Sequence, residues 1–290
     1  MKHLPLILRA RGREVTFPRR PLIMGILNLN DDSFCGDGTL NLEVALARTR
    51  EMIAEGADII DVGGESARTN RAAIAVAEEI ARVQPYVERF AEVSRSGGPR
   101  DGTQFFPPLL SINTWRPEVA RAVFPAGGDI LNDMGALPTW ENAETAAQHG
   151  AALVIMHSVG EPKVAHTHVG YADIIAEQLR FFHEKISGAL AAGLTREQLV
   201  LDPGIDFAKQ RADNLKIYRE FQEIGALGCA TLLPVSRKTV IGDVLGGVPA
   251  AERDAGTVAC IVAGAARGAN IFRVHNVEAA WQATKILAAL

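Results

Sequence analysis

Eight short apolar runs are spaced along the chain, and each stops at a polar residue. Leu22–Leu27 ends at Asn28, and Ile59–Ile60 runs through Asp61 to Gly63-Gly64-Glu65-Ser66. Leu109–Ile112 ends at Asn113, and Ile130–Leu131 at Asn132-Asp133. Leu153–Met156 ends at His157, and Leu199–Leu201 at Asp202-Pro203-Gly204. Thr231–Val235 meets Ser236-Arg237-Lys238, and Ile271–Val274, which carries Arg273, ends at His275. The runs lack strict alternation, as strands covered on both faces do. Stretches with helical spacing lie between most of them, near 41–55, 76–93, 171–192, 212–223, 252–267 and 277–289. The first of these sets Val44, Ala47 and Ile53 on one side and stops at Gly56. Pro117 suits the first turn of a further helix. Strands alternating with helices, all with polar C-terminal ends, predict a single (β/α)8 barrel whose chemistry sits at that end. A doubly wound sheet is the competing architecture, but no G-x-G-x-x-G follows an early run.

The chain has 290 residues, which fits one barrel plus a lead-in. Residues 1–20 form the lead-in, read as a hairpin closing the barrel floor, and 21–290 form the barrel. Ser94–Pro108 is rich in turn residues and reads as a surface loop away from the active end. The segment 252–267 is Ala/Gly-rich, which suits close packing on the sheet or on a second copy.

A net charge of −4 argues against a bulk nucleic-acid binder. No run of about 18 apolar residues is present to span a membrane. Met1–Arg20 lacks the apolar core of a signal peptide, so a cytoplasmic protein is expected. Three cysteines without a C-x-x-C exclude a disulfide framework and a structural zinc site. Cys229 and Cys260 read as core and Cys35 as exposed in a Gly-rich loop.

In a barrel the strand ends converge on one mouth, so their residues can be sorted by chemistry. Asp202, Asn113, Asn132 and Lys238 could satisfy a flat, nitrogen-rich heterocycle. A carboxylate accepts two parallel N–H bonds and so matches an amino-pyrimidine edge. Arg273, His275 and Arg68 suit phosphate or carboxylate, and Arg273 and His275 lie two apart on one strand face. Barrels often hold phosphate at strands seven and eight. Asn28, near Asp31 and Asp32, is a neutral oxygen ligand. One such oxygen with diphosphate oxygens is how magnesium is commonly held. Each residue alone has a plainer reading. Asp202 could form a turn, Asn132-Asp133 a cap, and Lys238 a solvated charge. Asp61 and His157 could be structural, and His166 with His168 a pair on a mobile loop. The coincidence of eight polar strand ends carries the argument.

These residues, in this order, resemble the dihydropteroate synthases over about 22 to 289. The likeness rests on Met24-Gly25-Ile26-Leu27-Asn28, Asp32-Ser33-Phe34, Asp61-Val62-Gly63-Gly64-Glu65-Ser66 and Arg68. It continues through Asn132-Asp133, Met156-His157, Asp202-Pro203-Gly204-Ile205, Ser236-Arg237-Lys238 and Arg273-Val274-His275. The resemblance implies a transferase of folate synthesis. Such an enzyme condenses 6-hydroxymethyl-7,8-dihydropterin diphosphate with p-aminobenzoate, releases diphosphate and uses magnesium. It implies that Asp202, Asn132, Asn113 and Lys238 hold the pterin. Arg273, His275, Arg68 and Asn28 take the diphosphate, with Asn28 also placing Mg2+. Loops with Asp32, Ser33, Phe34, Ser66, Ala67 and Arg68, together with Ser236, meet the aminobenzoate. Lys238, Arg273, His275 and Asp202 carry catalysis. Small-molecule substrates, a homodimer and sulfonamides as aminobenzoate mimics belong to the same implication.

Five departures from the family pattern matter. Ser111-Ile112-Asn113 replaces Ser-Ile-Asp, which removes a negative charge beside a developing cation. Asn30-Asp31 replaces Thr-Pro, Ala67 and Thr69 stand at the Thr and Pro of the second loop, Asp206 is a new carboxylate near the mouth, and Asn276 replaces an Asp. Two other readings therefore stand beside a synthase. One is a pterin-binding paralogue with weak or no synthase activity. The other is a methyltetrahydrofolate-dependent methyltransferase, which the basic residues of the last two strand ends disfavour.

Overall fold

A short hairpin, β1 (Leu6–Ala10) with β2 (Arg13–Phe17), precedes eight parallel strands. These are β3 (Leu22–Asn28), β4 (Ile59–Gly63), β5 (Leu109–Asn113), β6 (Ile130–Asp133), β7 (Ala152–Met156), β8 (Leu199–Asp202), β9 (Ala230–Pro234) and β10 (Ile271–Val274). They pair in sequence order, and β10 returns to β3 to close the barrel. This is the expected (β/α)8 fold. The computed structural model describes residues 5–30, 38–66, 71–164, 166 and 169–290.

The helices are α1 (Leu42–Ala54), α2 (Val76–Val93), α3 (Pro117–Val123), α4 (Glu141–Gln148) and α5 (Ile174–Ala191). They continue as α6 (Arg211–Arg219), α7 (Gln222–Gly225), α8 (Thr239–Val244), α9 (Asp254–Ala265) and α10 (Val277–Ala289). Side-chain oxygens of Asn41, Asp173 and Asn276 accept first-turn N–H groups and start α1, α5 and α10. Pro117 opens α3.

The face expected of α1 was wrong. The helix buries Ala45, Leu46, Met52 and Ile53, while Val44 is 53% exposed. At 3.6 residues per turn, Val44 and Ile53 stand half a turn apart and cannot share a side. The single helix expected near 212–223 is two pieces. Its chain breaks at Glu220, and Phe221 and Ile224 are buried beyond the break. The close approach expected of α9 is real at Gly264, where a Cβ would lie 2.6 Å from Leu233 and 2.9 Å from Phe272.

The lead-in does close the floor. Leu8, Ala10, Val15 and Phe17 pack into one cluster with Met24, Ile59 and other lower barrel residues. Ser94–Pro108 lies away from the mouth, as expected, but is not merely a surface loop. Gln104 is buried and donates to Ile53 O and Ala57 O, and Arg13 donates to Pro107 O and Pro108 O. Under the barrel, Asp58 accepts both Arg20 terminal nitrogens at 2.9 Å, Ile23 N at 2.8 Å and Phe105 N at 2.7 Å. Burial pushes the Asp58 carboxyl upward against these partners. Arg20→Met would strand that carboxylate. It is expected to cost about 3–5 kcal/mol in urea denaturation, and a loss below about 1 kcal/mol would show the pair to be dispensable. Among the described residues, no helix is long and apolar enough to cross a membrane.

Candidate active site

Parallel pairing sets the strand ends at one level. Asn28 pairs in register with Gly63, Gly63 with Asn113, and Asn113 with Asn132. On the far side Met156 pairs with Asp202. Asn28, Asn113, Asn132, Asp202, Lys238, Arg273 and His275 all line one cleft of about 250 Å³. That size suits a small flat ligand better than the 300–1,000 Å³ typical of drug-sized sites. Apolar walls come from Ile26, Met134, Met156, Phe207 and Pro234.

Asp61 lies at the bottom of this mouth with no exposed surface. It accepts Ser111 Oγ at 2.5 Å, Asn132 Nδ2 at 3.1 and 3.2 Å, Asn113 Nδ2 at 3.3 Å and Arg273 Nε at 2.7 Å. The reading of Asp61 as merely structural needs revision, because it joins three of the expected site residues. Asn113 also donates to Met134 Sδ at 3.3 Å, and its Oδ1 is buried without a partner.

Opposite lies Asp202, buried, with one oxygen accepting Gly204 N at 2.7 Å. Burial raises its carboxyl to about 6. Gly204 has φ +64°, and a Cβ there would lie 2.0 Å from His157 O, so only glycine lets the chain turn here. Lys238 donates to Ile205 O at 2.8 Å and stands 5.0 Å from the Phe207 ring centre. Lys209 donates to His157 O at 3.0 Å and Phe207 O at 2.9 Å. Burial lowers both lysines, Lys209 to about 7, while the Asp202 charge works against that fall. Lys209 was not expected in the site. It stands seven residues after Asp202 and three after Asp206, which was the available signal. His157 keeps its plainer reading: it packs on Phe181 at 4.9 Å, and burial lowers it to about 3.

At the last two strands, Ser236 Oγ accepts His275 N at 3.1 Å and pairs with His275 Nδ1 at 2.8 Å. Ser236 thus orients His275. Arg237 lines the cleft with its Nε on Asp254 at 2.7 Å, and Asn276 Nδ2 joins the same carboxylate at 2.9 Å. Asp206 does line the cleft, but its oxygens accept Thr239 N at 2.5 Å and Asn214 Nδ2 at 3.2 Å. Its charge serves the start of α8 more than the mouth. Asp133 is a turn residue, accepting Gly135 N at 2.6 Å and Asn142 Nδ2 at 2.8 Å.

A second charged group, also unforeseen, anchors the base of the loop after β4. Arg116 bridges Glu65 at 2.7 Å and Glu79 at 2.6 Å, and Lys163 meets Glu65 at 3.0 Å and Ser66 O at 3.0 Å. Ser66 and Glu65 line the cleft. Asp31, Asp32, Ser33, Phe34, Cys35, Ala67, Arg68 and His168 lie outside the described residues. Among those described, no group of three or more His, Cys, Asp or Glu could hold a metal ion.

Residues 24–275 match the model of the family described as pterin binding enzyme. Dihydropteroate synthase of Escherichia coli K12 is 38% identical over 270 residues, covering 93% of this chain and 91% of that protein. The Bacillus subtilis enzyme of the same name is 34% identical, covering 98% and 93%. Among solved structures, the Xanthomonas albilineans enzyme with 4-aminobenzoic acid superposes with a TM-score of 0.84 at 35% identity, covering 99% and 98%. The same enzyme in complex with 7,8-dihydropteroate gives 0.81 at 33% identity, covering 98% of each chain. The Yersinia pestis enzyme in a sulfonamide complex gives 0.87 at 35% identity, also covering 98% of each chain.

Proposed function

We infer the reaction from the family: this chain belongs to the pterin-binding enzymes, beside dihydropteroate synthases such as that of Escherichia coli K12, which matches 93% of it. It is a transferase of folate synthesis that joins 6-hydroxymethyl-7,8-dihydropterin diphosphate to p-aminobenzoate. The bond from the pterin methylene carbon to oxygen breaks, and its electron pair leaves with diphosphate. The arylamine nitrogen then bonds that carbon and gives up one proton. The observation that carries this reading is the convergence of Asp202, Lys238, Asn113, Asn132, Arg273 and His275 on one cleft.

In this reading the Asp202 carboxylate accepts the amino-pyrimidine edge, and Lys238 and Asn132 hold the ring beside it. Arg273 and His275, with Arg68, neutralise the leaving diphosphate, which is the main electrostatic work of the site. Ser236 sets the His275 ring and faces the aminobenzoate. The loops carrying Asp32, Ser33, Phe34, Ser66, Ala67 and Arg68 cover the amine and keep water from the cation. Magnesium would arrive with the diphosphate. The donor set fits such an ion, because Asn28, a neutral amide, lines the same cleft as Arg273 and His275 and would hold it. Bound there, the ion would screen phosphate charge. A cytoplasmic homodimer completes the proposal, and exposed Val262 and Ile286 on the adjoining helices α9 and α10 support a second copy.

The test is diphosphate release from the dihydropterin diphosphate with magnesium, with and without p-aminobenzoate, and the product identified by mass. Release together with dihydropteroate is expected. Release without dihydropteroate would mean another acceptor, and bound pterin without release would mean a non-catalytic paralogue.

A further inference from the structure

We propose that Asp206 is a specificity-determining residue of the acceptor subsite, where its fixed negative charge penalises an anionic arylamine relative to a neutral one. The inference rests on the synthase reading above. That reading gives Asp202, Asn132 and Lys238 to the ring, and Arg273, His275 and Asn28 to the diphosphate. On the side of β8 and β9, the wall that remains for the acceptor runs through Asp206, Phe207, Ser236, Arg237 and Thr239. Asp206 is a carboxylate that the family pattern does not carry here, and it stands where p-aminobenzoate brings a second one.

Local geometry fixes that charge in the wall. Asp206 is half-buried at φ +68°, a conformation that glycine takes freely and aspartate tolerates. Its side chain accepts Thr239 N at 2.5 Å, Val240 N at 3.3 Å and Asn214 Nδ2 at 3.2 Å, and its own N–H donates to Asn214 Oδ1 at 2.9 Å. These bonds serve the start of α8. Their donors are neutral, so they hold the carboxylate in place without cancelling its charge, and the field of that charge reaches into the cleft it lines. Other charges of the cleft wall are matched directly. Glu65 is bridged by Arg116 and Lys163, and Arg237 is paired with Asp254. Burial lowers Lys238, and Asp206 is the charge that most opposes the fall, ahead of Asp202. The pull that Lys238 would exert on an incoming carboxylate is therefore already offset by Asp206. A neutral arylamine of the same shape meets no such repulsion.

Steady-state kinetics with p-aminobenzoate, beside competitive inhibition by sulfanilamide, an uncharged mimic of the same arylamine, make the test. Asp206→Asn removes the charge and keeps an acceptor for Thr239 N. Asp206→Gly suits the positive φ. Each should lower the KM for p-aminobenzoate about fivefold and leave the sulfanilamide inhibition constant within about twofold of the wild type. A residue that only started α8 would, when replaced, weaken both arylamines together. Asp206→Asn decides the matter should Asp206→Gly not fold. An unchanged or raised KM in Asp206→Asn, or parallel shifts of the two constants, would overturn the proposal. A wild type that makes no dihydropteroate would instead bring down the synthase reading itself.

Discussion

Arg273→Ala is expected to slow turnover of the dihydropterin diphosphate by about 10²–10³-fold, the scale of one preorganised electrostatic group. Affinity for the diphosphate-free ring should fall far less. Arg273 stands on β10 with its Nε on Asp61 at 2.7 Å and its side chain 21% exposed, so the guanidinium is fixed at the cleft edge. A fixed cation gains over a mobile one because it needs no reorganisation as the leaving charge develops. The substitution also strands the buried Asp61 carboxylate, which should lower stability by about 3–5 kcal/mol. Kinetics must therefore be read well below the variant's melting range. Arg273→Lys separates the effects. It keeps the charge but loses the planar fork, so turnover should recover only in part. Steady-state kinetics with the diphosphate substrate, beside binding of the free ring, make the comparison. Equal losses for both ligands would take Arg273 out of the diphosphate role.

The barrel strands were legible because an apolar run that ends at Asn28, Asn113 or Asp202 has few other readings. The run Leu109–Ile112 became a strand running one residue further, through Asn113. What failed was geometry that a one-dimensional pattern does not carry. Val44 is the exception: its nine-residue spacing from Ile53 already sets it on the opposite face of a helix, and only its apolar side chain made it look like core. Asp61 looked structural because it sits inside a strand. Its partners come from β5, β6 and β10, and Arg273 is 212 residues away in sequence. Only the closure of the barrel brings those groups together. Asp206 was rightly expected near the mouth, but that it would accept the N–H groups opening α8 depends on a positive φ of 68° that nothing in the sequence announces. Glu65, Lys163 and Arg116 show the same limit: the motif containing Glu65 was quoted, but its cationic partners come from the loops after β7 and β5.

The neutral Asn113 also reads differently in place. Beside a buried Asp61 it is not simply a lost charge, because it bonds an anion that remains in the site at 3.3 Å. Asp61 belongs to the family motif too, so Asn113 still removes one negative charge, but it leaves the Asp61 charge one hydrogen bond away from the cleft.

Asp202→Asn should weaken ring binding itself rather than turnover alone. An ionised carboxylate offers acceptors to both N–H groups of the amino-pyrimidine edge, whereas an amide offers one acceptor and one donor. Losing a charged hydrogen bond and burying a mismatched donor together cost roughly 3–6 kcal/mol, about 10²–10⁴-fold in Kd. The same residue predicts a pH dependence. Burial raises the Asp202 carboxyl to about 6, above the ordinary carboxylate range. Above that value the group is ionised and can accept twice. Below it a proton occupies one oxygen and must leave before the ring can bind, so affinity should be full near neutrality and fall as pH drops through about 6. The limiting slope is about tenfold per pH unit. Titrations of the free ring from about pH 5 to about pH 8 should show this fall in the wild type and lose it in Asp202→Asn. A flat wild-type profile, or an unchanged Kd in the variant, would move the ring away from Asp202 and leave its elevated carboxyl as a consequence of burial alone.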